Sequence, residues 1–107
     1  MSTTMATLDK LRSLEQLYRQ GYRTEVIDRT VGKLLAMEVE QAYKELRDLE
    51  ARLSRYEEQY SMTSSEFYPR FRAGELGDEM EFVEWSVFYD MHQATLRRLR
   101  LLGAGER

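Results

Sequence analysis

The chain of 107 residues carries one histidine, His92, and no cysteine. No thiol nucleophile or thiolate zinc site is available, and base catalysis near neutral pH would rest on a single imidazole. His92 falls on the apolar seam of its helix, where the expected pairing sets it opposite Leu46, the surroundings of a core imidazole. The carboxylates Glu75, Asp78, Glu79, Glu81 and Glu84 are the densest run of the oxygen ligands that hard cations take. Helical spacing separates them: Asp78 and Glu81 suit the capping of a helix start, and Glu84 falls on the solvent side. Glu57 and Glu58 have no partner at a matching spacing. There is no Gly-rich phosphate loop, no Ser/His/Asp set and no His-Glu-x-x-His helix. The expectation is a protein that is not an enzyme, with no catalytic residue, no metal and no cofactor.

Composition points the same way. Leu, Glu, Arg, Ala and Lys dominate, and Pro occurs once, which is the usage of long helices or a coiled coil. The net charge of −3 argues against a nucleic acid as direct ligand. Its distribution is uneven: residues 57 to 90 hold nine carboxylates against Arg70 and Arg72, whereas residues 91 to 107 hold four Arg and one Glu. An acidic start and a basic end complement the macrodipole of one helix better than they describe a phosphate patch at Arg97, Arg98 and Arg100. No basic region precedes an apolar run, and no eighteen apolar residues follow one another. A cytoplasmic protein that neither crosses nor anchors in a membrane is expected, and the lack of cysteine fits a reducing compartment.

The elements that would position these residues are helices of about 8–20, 25–60, 64–73 and 79–102 in a single domain spanning 1–107, with 1–6 and 103–107 frayed. Thr7 suits the cap of the first, with Leu8, Leu11, Leu14, Leu17 and Tyr18 on one face, and Gly21 stops it. Thr24 opens the second, which tolerates Gly32 at a cost of about 1 kcal/mol. Thr63 with Glu66 forms a capping box and Met62 with Phe67 a hydrophobic staple, so a third helix starts there. Pro69 inside it removes a ladder donor, which predicts a bend or a 3₁₀ stretch. Asp78 and Glu81 are the expected cap of the fourth helix.

The second and fourth helices carry heptad seams, Val39, Ala42, Leu46, Leu49, Leu53, Tyr56 and Tyr60 in one, Phe82, Trp85, Tyr89, His92, Leu96 and Leu99 in the other. Laid antiparallel, one register sets Tyr56 against Phe82, Leu49 against Tyr89 and Leu46 against His92. A similar register sets Tyr18 against Ile27, Leu14 against Val31 and Leu11 against Leu34. The fold class is therefore all-α: an elongated antiparallel helical hairpin or coiled coil, with a short N-terminal helix and a short helix at the hairpin tip. Nine of the twelve aromatics lie between Tyr56 and Tyr89, enough for a small core at that tip. Two helices cannot enclose a core by themselves. The fourth helix has a second apolar stripe, Met80, Val83, Val87, Met91 and Ala94 with Phe88 beside it, which is the candidate protein interface. Dimerisation into a four-helix bundle section would bury it, and a heterologous partner could use it as well.

The stretch Leu14–Tyr22, followed by Val26–Val31, has the pattern of a ubiquitin-associated-type helix, Gly-aromatic loop and helix, although the second helix continues far beyond such a module. A broader likeness runs through Leu53–Tyr68, through Phe71-Arg-Ala-Gly-Glu-Leu-Gly-Asp78 and through Phe82-Val-Glu-Trp85. Over about residues 17 to 102 the chain resembles a family of short prokaryotic helical proteins commonly encoded beside a small predicted toxin. The most specific part is Ala73–Asp78 followed by Glu84-Trp85, and Pro69 departs from the pattern. The resemblance implies an antitoxin-like component of a toxin–antitoxin pair, one that binds a cognate protein toxin and blocks it. The alternative is a self-assembling structural or scaffold coiled coil without a toxin partner.

Overall fold

A computed structural model describes residues 3–104 as four α-helices: α1 Thr3–Arg19, α2 Glu25–Tyr60, α3 Ser64–Arg72 and α4 Met80–Leu101. No strand occurs among the described residues. The expected fraying of 1–2 and 105–107 lies outside them. α1 is already helical at Thr3, so Thr7 sits within the helix instead of capping it.

All four helices stop in the same way. An amide two or three residues past the helix end reaches back to a carbonyl five residues before it, as Tyr22 N–H does to Leu17 O at 3.0 Å, Met62 to Glu57 at 3.2 Å, Glu75 to Arg70 at 3.0 Å and Ala104 to Leu99 at 3.0 Å. This Schellman geometry requires a left-handed residue just before that amide. Gly21 supplies it after α1 at φ +92°, but Ser61 supplies it after α2 at φ 50°, where an L side chain is disfavoured. Ser61 gave no glycine signal in the sequence, yet the turn forms because the packed aromatics on both sides of it hold the chain.

The starts differ more from expectation. Thr24 and Thr63 cap as expected, their hydroxyl oxygens accepting from Ile27 N–H and Glu66 N–H at 3.1 Å each. The Ser64 N–H is taken by Glu57 Oε2 of α2 at 2.7 Å, so a further free donor at the start of α3 is satisfied from another helix. At α4 the cap position is Glu79, with no side-chain cap bond, and Asp78 does not cap. Glu81, expected to reach back, instead accepts from the phenol of Tyr60 and from Gln59 Nε2. Donors brought by α2 compete successfully for that carboxylate. Pro69 is carried inside α3 with no 3₁₀ residue.

The described chain forms two compact units, Met1–Leu34 and Leu35–Arg107. In the first, Leu11, Leu14, Tyr18, Ile27 and Val31 gather round a cleft of about 290 Å³, following the expected register apart from Leu34, which is not in its lining. The Tyr18 hydroxyl closes one end, donating to Asp28 Oδ1 at 2.6 Å. None of the side chains assessed in this unit, from Met5 to Leu34, is buried.

The second unit holds the core, in two clusters. Ala42, Tyr43, Leu46 and Leu99 form one, with Val39, Leu96 and Ala104 against them. Leu53, Phe67 and Trp85 form the other, wrapped by the aromatics of α2, α3 and α4, which is the small aromatic core expected there. Trp85 and Phe67 are fully buried and stack at 3.7 Å between ring centroids, and the indole N–H donates to Ser64 Oγ at 2.9 Å. Every buried polar side-chain atom among the described residues is hydrogen-bonded.

The α2–α4 register differs from expectation by one turn. Tyr60, not Tyr56, meets Phe82, at 5.1 Å; Tyr56 stacks on Trp85 at 5.5 Å; and Glu50, not Leu46, meets His92, at 3.3 Å. A heptad seam accepts registers a turn apart almost equally, because each shift again sets apolar against apolar. The directional contacts between α2 and α4 break the tie: Arg98 with Glu45, Tyr60 with Glu81, Tyr56 with Glu84 and His92 with Glu50 are satisfied together in this register.

Candidate functional site

α4 buries Trp85, Ser86, Thr95 and Leu99 and turns another face outward. The two buried hydroxyls are satisfied within the helix, Ser86 donating to Val83 O at 2.7 Å and Thr95 to Met91 O at 2.9 Å, so no polar demand is left on that side. On the outward face Met80 is 70% exposed, Val83 38%, Val87 48% and Met91 48%, and Ala94 is exposed with them. Leu101, 89% exposed, extends the stripe by another heptad step from Ala94; the spacing that found the others would have found it too. Phe88 departs from its expected neighbours. It is half-buried, 6.3 Å from the Tyr56 ring, and the Arg52 guanidinium lies 5.1 Å over its face, so it belongs to the flank of the aromatic core.

The N-terminal unit contributes a second uncovered surface that sequence reasoning did not single out. Leu8, Leu11, Leu17, Tyr22 and Val26 are exposed, Val26 at 74%. The three-and-four spacing of Leu8, Leu11 and Leu17 was legible; that α1 and the start of α2 leave them exposed was not.

Chemically the remaining clusters are quiet. His92 lies beside Glu50 and Gln93 in a polar cleft with Ser54, Glu57 and Thr63. No group of three or more His, Cys, Asp or Glu side chains suited to a metal occurs among the described residues. No helix among them is long and apolar enough to cross a membrane. Acidic side chains along α4 serve as acceptors for tyrosines: Glu81 for Tyr60 and Glu84 for Tyr56 at 3.2 Å near its start, and Asp90 for Tyr68 at 2.6 Å at its middle. Glu45 is held below its ordinary range by its bond from Arg98.

The tyrosine bonds carry a pH signature. The hydrogen bond to the Glu81 carboxylate pushes the Tyr60 phenol up to about 12. Tyr56 is raised by burial and by Glu84, and Tyr68 by its bond to Asp90. A phenol that holds its proton more tightly in the folded chain than in the unfolded one contributes stability that is complete below the unfolded value of about 10. That contribution is lost as the pH rises through the folded value. Thermal melts should therefore show stability declining between about pH 10 and about pH 12, and Tyr60→Phe should flatten part of the decline. An unchanged profile in the variant would mean that the Tyr60–Glu81 bond does not persist in solution.

Comparison with protein-family models, with curated proteins and with solved structures yields no match for this chain.

Proposed function

We propose that this chain is a non-enzymatic helical protein-binding module of antitoxin type, acting in the cytoplasm, which neutralises a cognate protein toxin by direct binding and pairs with itself. The observation that carries the reading is the first unit: from Met5 to Leu34 no side chain is buried, although Leu8, Leu11, Leu14 and Leu17 recur at the spacing of an apolar helix face. A pair of helices with so little buried gains stability from what covers it, because most helical stability in proteins comes from packing an apolar face and two helices cannot enclose a core. Large apolar side chains left exposed in this number support an interaction site. The α4 stripe gives the second unit a site of the same character, suited to self-pairing, and the family likeness supplies the class of the other partner.

Coexpression with the product of the neighbouring gene tests this directly. A stoichiometric complex that survives size exclusion, together with relief of growth arrest, is the expected result, and Val26→Asp combined with Leu11→Asp should weaken both at least tenfold. Absence of a complex with growth arrest unrelieved, alongside assemblies larger than a dimer, would favour the scaffold coiled coil instead.

A further inference from the structure

We propose that a second copy of this chain covers the α4 stripe, its own α4 running antiparallel about a two-fold axis that passes beside Met91. The proposal rests on reading the stripe as the self-pairing interface and adds its orientation, its axis and the residues that meet across it. α4 has 22 residues, just over three heptads and about 33 Å of length. Along its outward face Met80, Val87, Ala94 and Leu101 recur every seven residues, and Glu84, Met91 and Arg98 recur beside them at the same interval. Two such rows make the seam of a two-stranded coil.

Charge selects the occupant and its direction. Glu79, Glu81 and Glu84 stand at the start of α4, and Arg97, Arg98 and Arg100 at its end. A parallel second α4 would set acid beside acid and guanidinium beside guanidinium. An antiparallel one, with Met91 against its counterpart, sets Met80 beside Leu101 of the second copy, Val87 beside Ala94 and Glu84 beside Arg98, each contact made twice by symmetry. The helix dipoles then oppose as well. Arg98 remains capable of this although it already bonds Glu45, because the two side chains keep 45% and 41% of their surface exposed and a guanidinium has five N–H donors; Glu84, exposed, accepts from the Tyr56 hydroxyl at 3.2 Å and keeps its second carboxylate oxygen for the partner. A second copy matches this polarity by construction, at both ends at once.

The absence of cysteine makes the test clean. In the full chain under mild oxidation, Met91→Cys should give a disulfide-linked dimer and Met80→Cys should not. An equal mixture of the Met80→Cys and Leu101→Cys chains should crosslink one to the other. Light scattering of the unmodified chain at micromolar concentration should give twice the chain mass, and Glu84→Arg should raise the dissociation constant at least tenfold. Val87→Glu should give the single-chain mass with helical circular dichroism retained, while toxin copurification through the first unit persists. A single-chain mass for the unmodified protein overturns the proposal, as does self-crosslinking of Met80→Cys as readily as Met91→Cys. Loss of toxin from Val87→Glu, with a monomeric unmodified chain, assigns the stripe to the toxin and leaves the binding-module reading standing.

Discussion

Trp85→Ala should lower the unfolding free energy by about 3 to 5 kcal/mol, the range for removing a large buried ring. The indole is fully buried and is the shared face of three stacks: Phe67 at 3.7 Å, Tyr56 at 5.5 Å and Tyr60 at 5.7 Å. Those rings come from α2 and α3, so one truncation removes the contact that joins three helices. A small domain has about 5 to 15 kcal/mol in all, which makes the loss a large part of the total. Ser64→Ala is the companion measurement. It leaves the indole in place but deprives its N–H of the only acceptor in a buried setting, at a cost of about 1 to 3 kcal/mol. Urea unfolding followed by helical circular dichroism reads both variants without depending on the tryptophan itself. If both prove mild, the aromatic cluster is not what holds the second unit together.

The other large effect is expected at Leu49, which is 6% exposed and lies along α2 between Leu46 of one core cluster and Leu53 of the other. Leu49→Ala should cost about 2 to 5 kcal/mol, whereas Arg47→Ala, on the exposed side of the same turn, should stay within about 0.5 kcal/mol. The contrast isolates burial from helix propensity, since both variants place alanine in the same helix. Thermal melts that show equal, small shifts would mean that α2 does not bury this face. If the second unit is the platform for self-pairing, Leu49→Ala should also weaken the dimer, because a less stable protomer is a less populated one.

Helix content and helix ends were legible in the sequence because their causes are local. Gly21 before Tyr22, the hydroxyls of Thr24 and Thr63 and the three-and-four spacing of apolar residues act within a few positions of the chain, and each appears where its chemistry places it. The outward stripe on α4 followed from the surplus of apolar positions over what a single seam consumes.

What lies between helices was decided by tertiary contacts. The α2–α4 register moved one turn from the expected pairing because a heptad pattern is periodic and cannot number its own turns. Only aperiodic contacts could do so: Arg98 meeting Glu45, Tyr60 donating to Glu81 and Tyr56 to Glu84. The same competition released Asp78 from capping α4 and drew Glu81 to Tyr60, and it placed Ser61 in a left-handed turn that its side chain disfavours. Propensities of about 1 kcal/mol lose to buried aromatic contacts worth several. Phe88 shows the limit most plainly. Its position beside the stripe assigned it to the outward face, but arginine stacking from Arg52 and the nearby ring of Tyr56 turn it toward the core flank. Periodicity decides which side of a helix a residue stands on, and only the neighbouring helix decides whether that side is covered.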